Sequence, residues 1–479
     1  MSFDNIRSSY ILKQIFEIVN EYKKLKIINY NKKIQERIDI SILDYKKFLE
    51  IELELKLGYN TFNNNFISKY FIDVSSLHIY FNEEKEEQKR TTVHPNEKIS
   101  KINIVIDNEL KSLKNLFQNC SIIKEIKIIK FNRRDITDIS AMFYECYYLT
   151  DLDIAKMRTD NVTNMSEVFY NCGKLEKLDI SNFKTDKVTD MNYMFYGCEK
   201  LVELNLSNFK TNKVIDMNNM FARCSSLKKL DLSNFKTDNV KNMRLMFYYC
   251  SELIDLDLST FNTNKLTDMH SMFSECNNLK NLNISSFKTD KVKEMRYLFA
   301  HCENLTDLDL SNIETDKVIN MNNMFYYCTK LVNLNIEKFN TINVTEMREM
   351  FYECRNLINI KFNPNIFNTI NVTKMNYMFA GSKSLKSLDL SFFKTDNVTD
   401  MSYMFTDCSG LITLNISNFN TNKVVNHAHM FRNCSSLVNF DITNVKSTFI
   451  NKIETMSEGC PKEINNKVKK HKNKNCLII

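Results

Sequence analysis

The chain has 479 residues, a formal charge of +7 from 65 Lys and Arg against 58 Asp and Glu, and 43% hydrophobic residues, enough apolar mass for a large core. Only 6 Gly and 3 Pro are present, which excludes collagen-like chains and Gly/Pro-rich linkers. Neither G-x-G-x-x-G nor G-x-x-x-x-G-K-[ST] occurs, so a P-loop NTPase or a dinucleotide enzyme of the usual kind is not expected, and no apolar run is long enough to span a bilayer.

The start, Met1 to Arg7, lacks the basic-then-apolar order of a secretory signal, and Lys13, Gln14 and Glu17 interrupt the stretch from Ser8 to Val19. The reducing cytosol is therefore the expected compartment. Residues 1–98 do not repeat. Ile11, Leu12, Ile15, Phe16 and Val19 fit one helical stripe, and Leu25, Ile28, Ile34 and Ile38 fit a second, more basic one. They predict a mainly helical N-terminal cap that seals the first repeat. This start also weakly resembles an F-box, without its Leu-Pro opening, and that resemblance implies an adaptor of a ubiquitin ligase. Ile102, Ile104 and Ile106 alternate and predict the first strand of a stack.

Residues 99–460 are repetitive. Cysteines fall at Cys120, Cys146, Cys172, Cys198 and onward to Cys354 in steps of 26; Ser382 follows after 28, then Cys408, Cys434 and Cys460. Thirteen of the 14 cysteines thus belong to one ladder, and a fixed period of this size marks a solenoid. Within a unit, Leu178-Asp179-Ile180 has strand periodicity, while Val188, Met191, Met194 and Phe195 recur at three or four residues and predict a helical turn. The expected fold is an α/β solenoid, a right-handed superhelix of 26-residue units with a parallel sheet on its concave side. Columns headed by Leu178, Phe183 and Met194 are core filling rather than a cofactor box. The ladder cysteines lack close partners, so packing as small buried hydrophobes is expected in preference to disulfides or zinc.

The repeated unit L-x-x-L-[DN]-[LI]-S-x-F-x-T-[DN]-x-V-x-x-M-x-x-M-F-x-x-C resembles the BspA-type leucine-rich repeat. The resemblance implies a non-enzymatic binding scaffold with no cofactor; it also implies, as an alternative, a cell-surface adhesin for host or matrix proteins.

The outward strand residues form polar, mildly acidic columns. Asp255, Asp257, Asp307 and Asp309, with Lys361 beside a two-residue insertion at Phe362 to Ile366, are the candidate surface for a basic or polar protein partner. Such a face repels phosphates and offers no stacking aromatics, so nucleic acid is not an expected partner. The seven His are scattered, and His427-Ala428-His429 reads as a local substitution at a Met position rather than a metal pair.

Residues 461–479 read as a disordered polybasic tail. Lys467, Lys469, Lys470, Lys472 and Lys474 precede Cys476, the fourth residue from the end, followed by Leu477 and Ile478. This resembles a C-a-a-X prenylation box, which implies a prenyltransferase as partner. One lipid chain plus a basic patch anchors stably. The expected location is the cytoplasmic face of a membrane, with the plasma membrane first and surface exposure as the alternative.

Overall fold

The computed structural model describes residues 8, 9, 11, 14, 32–38, 42–58, 64–94, 96–441, 456–464 and 466. Two short helices, α1 (Lys32–Ile38) and α2 (Ile42–Leu49), lead into strand β1 (Ile51–Leu57). In β1 the alternation is strict: Ile51, Leu53 and Leu55 are buried while Glu52, Glu54 and Lys56 point outward. Strands β2 (Leu77–Phe81) and β4 (Lys101–Ile106) repeat the pattern, and β3 (Glu87–Gln88) closes one edge. The sheet order is β3-β2-β4-β1, extended beyond β1 by β5 (Ile123–Phe131) and then β6 (Asp151–Asp153), with every pair antiparallel except the last.

This corrects two expectations. Between residues 50 and 106 the cap is an antiparallel sheet rather than mainly helical. Ile102, Ile104 and Ile106 belong to β4 inside that sheet, hydrogen-bonded to β1 and β2. The physical reason is the period-two alternation of Ile51–Leu57 and Leu77–Phe81, which buries one face without helical spacing. The stack begins one strand later. Strand β5 (Ile123–Phe131) runs antiparallel to β1 but parallel to β6 (Asp151–Asp153), so a single strand converts cap pairing into solenoid pairing. The joint is locked by Arg133, whose fully buried guanidinium lies 2.9 Å from Asp135 Oδ1 and donates to the Asp107 carbonyl at 2.9 Å.

From there the units stack as a solenoid at the 26-residue spacing. On the strand side, three-residue strands pair in register: β7 (Asp255–Asp257) with β8 (Asn281–Asn283), β9 (Asn333–Asn335) with β10 (Asn359–Lys361), and β11 (Ser387–Asp389) with β12 (Thr413–Asn415) and β13 (Asn439–Asp441). All these pairs are parallel, as expected.

The opposite run of each unit is not helical. It is a string of tight turns, and among the described repeat residues no α-helix occurs before Met456. In one unit the N–H groups of Met142, Tyr144 and Cys146 donate back three residues, to Ile139, Ala141 and Phe143. The alternate N–H groups, of Ala141, Phe143 and Glu145, donate across to Ser166, Val168 and Tyr170 of the next unit. Two residues per unit therefore adopt positive φ, here Ala141 at 53° and Glu145 at 55°. Side chains three and four apart still share one face, which is why the spacing mimicked a helix.

Three side-chain ladders tie the units together. Thirteen phenylalanines from Phe117 to Phe431 stack ring on ring at centroid spacings of 5.3–5.9 Å. From Thr159 to Thr395 a buried Thr bridges each unit to the next: Thr263 Oγ1 donates to the Lys288 carbonyl at 2.8 Å and accepts from the Lys288 amide at 2.7 Å. The ladder cysteines are free thiols, all buried. They fill space as expected, and each also donates; Cys172 Sγ lies 3.2 Å from the Phe143 carbonyl of the preceding unit. Burial pushes thiols such as Cys146 and Cys276 up to about 12, so they carry the proton that this bond needs. Ser382 keeps the role, its hydroxyl donating to the Phe351 carbonyl at 3.1 Å.

Candidate functional site

The strand side presents its polar residues because only the middle residue of each three-residue strand turns inward. Leu256 is buried, and Asp255 and Asp257 on either side are exposed; Leu308 between Asp307 and Asp309 repeats the arrangement. Parallel pairing then lines up equivalents, Asp255 opposite Asn281 and Asp257 opposite Asn283.

The residues singled out from the sequence come together. Asp255, Asp257, Asp307 and Asp309 border a depression of about 400 Å³, completed by Lys280, Asn281, Asn283 and Thr306. A second depression, of about 600 Å³, shares Asp307, Leu308 and Asp309 and extends over Asn333, Asn335 and Asn359 to Lys361. The two form adjoining open grooves across five units, with apolar floors of Leu and Ile and rims of carboxylates and amides.

The rim is partly ordered by its own hydrogen bonds. Asn281 Nδ2 donates to Asp255 Oδ1 at 2.5 Å, and Asn359 Nδ2 to Asn333 Oδ1 at 3.1 Å. Asp257 and Asp309 accept the amides of Ser259 and Ser311, both at 2.9 Å. Those backbone bonds hold both carboxyls below the usual carboxylate range. They stay charged at neutral pH, so the groove attracts cations and polar donors. The insertion after Lys361 folds inward: Phe362 packs edge-on against Phe367 at 4.9 Å and near Phe392 at 5.5 Å, against the core.

The remaining sequence-derived candidates, Cys476 and Lys467, Lys469, Lys470, Lys472 and Lys474, lie outside the described residues. Among the described residues no cluster of three or more His, Cys, Asp or Glu could hold a metal, and no helix is long and apolar enough to cross a membrane. His427 is buried, and His429 packs on Tyr403 at 4.9 Å. Sequence reasoning missed the tyrosines of the turn side, which are spread over three columns so that no single column displays them.

Among solved structures, a leucine-rich repeat protein from Bacteroides ovatus is 19% identical, with 77% of this chain and 93% of that one covered and a TM-score of 0.44. A leucine-rich cell surface protein from Faecalibacterium prausnitzii is 17% identical over 62% of this chain and 86% of that one, with a TM-score of 0.32. The functional domain of InlJ from Listeria monocytogenes, which includes a cysteine ladder, is 15% identical over 67% of this chain and 68% of that one, with a TM-score of 0.19. No curated protein matches. Four overlapping stretches, residues 111–205, 179–281, 251–363 and 357–471, match the family described as Mycoplasma protein of unknown function, DUF285. These stretches together take in most of the chain, which belongs to the DUF285 family.

Proposed function

We propose that this protein is a non-enzymatic scaffold that binds a basic or polar protein partner in the strand-side grooves. The observation that carries this reading is the convergence of Asp255, Asp257, Asp307, Asp309 and Lys361 on two adjoining depressions. The apolar floor supplies contact area, and the charged rim supplies orientation and steering. Reversing all four aspartates to lysine abolishes capture of the partner in a pull-down from the native cell, while the melting temperature stays within the wild-type range. Unchanged capture would falsify the assignment.

We further propose that Cys476 is prenylated and that the five lysines before it hold the protein on the cytoplasmic face of a membrane. Two observations support this reading. Cys476 stands fourth from the last residue and is the one cysteine off the ladder, and the last 18 residues hold six Lys and one Glu, so +5 of the +7 lies there. Each lysine near an anionic leaflet contributes about 1 kcal/mol, enough with one lipid chain for stable residence. Intact-mass spectrometry of the protein from its own cells should show one prenyl adduct, lost with its membrane fraction in Cys476→Ser. An unmodified, fully soluble wild type would retire the anchor without touching the groove.

A further inference from the structure

The turn side carries a second continuous surface. Seven rings run without a gap across six units, from His301 through Tyr326, Tyr327, Tyr352, Tyr377 and Tyr403 to His429. Successive centroids lie 4.5–5.9 Å apart. All are half-buried. The fold does not demand them: in the column of Tyr326 and Tyr352, other units carry Ala222, Ser274 and Ala300 above the same unbroken phenylalanine stack.

Charge accompanies the rings. Glu353 and Asp407 stand in the column of Tyr327, and Glu349 in that of Tyr377. Burial first, and the neighbouring Glu349 and Glu353 after it, hold the Tyr326 hydroxyl up at about 12, so the phenols stay neutral donors among carboxylates. The arginines beside the band are paired, Arg355 with Glu353 at 2.6 Å, Arg348 with Glu346 at 3.2 Å and Arg432, in the column of Tyr352, with Glu458 at 3.3 Å. Glu349 and Asp407 instead accept from the neutral amides of Asn323 and Asn433, at 3.0 and 2.7 Å.

We propose that this band of tyrosines and carboxylates is a second docking surface, taken by an extended lysine- or arginine-rich segment of a protein partner. Tyrosine is enriched in interface cores because it joins contact area to a hydrogen-bonding tip. Here neighbouring rings largely cover one another's faces, so ring edges and hydroxyls are what a partner meets. That favours hydrogen bonds to a peptide backbone over the stacking of a sugar or base. The carboxylates select cationic side chains. Six units at the usual strand spacing of about 4.8 Å give a band of roughly 24 Å, the length of about seven extended residues.

The test uses the full chain and a nona-arginine peptide in isothermal titration, with nona-glutamate as the opposite-charge probe. Binding of nona-arginine is expected, weakened about tenfold or more by Glu349→Gln/Glu353→Gln and by Tyr352→Ala/Tyr377→Ala. The combined change of Asp255, Asp257, Asp307 and Asp309 to Asn should leave it within about twofold. Alanine already occupies position 380 and others like it, so the tyrosine variants keep the fold, which an unchanged melting temperature verifies. Several outcomes overturn the proposal: no binding, equal binding of nona-glutamate, or equal loss in the groove and band variants. A dimer in sedimentation that Tyr352→Ala/Tyr377→Ala disperses would assign the band to a second copy instead. Binding tightened about tenfold when the five lysines of residues 467–474 become Gln would assign it to the chain's own tail.

Discussion

The two long sides of each unit solve the stacking problem differently. On the strand side, pairing is regular only in separate patches of two or three short strands. On the turn side, parallel bridges continue unbroken from Ser112 to Asn426. The turn side also carries the phenylalanine stack, the thiol donors and the positive-φ turns, so most of the lateral cohesion lies there. What this teaches is a division of labour. Outward strand residues carry little of that cohesion beyond local caps such as Asp257 on the Ser259 amide, and their identity varies from unit to unit, as Asp257, Asn335 and Lys361 do in one column.

The sharpest way to break this contrast is to remove one rung of the phenylalanine stack. Phe247 is fully buried between Phe221 and Phe273, 5.8 Å from each. Phe247→Ala should cost about 3–5 kcal/mol in chemical denaturation. A loss under about 1 kcal/mol would place the cohesion elsewhere. Thr263→Val comes next. It leaves the Lys288 amide and carbonyl without their shared hydroxyl, and about 2–3 kcal/mol is expected. By contrast, Asp257→Asn on the strand rim should stay within about 0.5 kcal/mol of wild type, because the amide oxygen still accepts the Ser259 amide.

The positive-φ turns allow a change of opposite sign. Tyr249 is exposed and adopts φ 59°, at the position where Gly197 and Gly381 stand in other units. Glycine relieves the left-handed strain at some cost in chain entropy, so Tyr249→Gly should stabilise the protein by about 0.5–1 kcal/mol. Destabilisation would mean that the tyrosine ring contributes more than its backbone costs.

The strong columns were legible because a solenoid repeats each burial decision. Leu178, Phe183 and Met194 are all buried, as their periodicity implied, and so is every ladder cysteine. The turn geometry was not legible, because Val188, Met191, Met194 and Phe195 satisfy both a helix and a string of three-residue turns. A signal was present in Asn171, Gly197, Asn219 and Asn323, residue types that tolerate positive φ, at the two strained positions. The donor role of the cysteines depends on one carbonyl of the neighbouring unit, which no single-chain pattern displays. The strand grooves were legible in their rim residues but not in their shape, since each depression is lined by three stacked units.

The smallest expected effect separates the cap from the solenoid by pH. In the cap, His78 lies between two carboxylates, with Nδ1 3.0 Å from Glu87 and Nε2 3.2 Å from Asp107. Burial works against its charge, but those two acceptors prevail and raise its pKa above the usual imidazole value. A raised folded-state pKa contributes stability that is complete below the unfolded value of about 6.5 and is lost as pH rises through the folded one. Glu87 is held low by Lys89 first and by His78 second, so its contribution fades instead as pH falls through its own folded pKa. The cap should thus be most resistant between about pH 5 and 6.5. The effect is modest, because the His78 side chain is 36% exposed and solvent screens the pair. Hydrogen exchange of β2 and β4 amides, corrected for intrinsic rates, should quicken from pH 6 to pH 8.5 in wild type and stay flat in His78→Gln. Amides of the phenylalanine-stacked units should not respond in either protein, and equal quickening there would remove His78 as the cause.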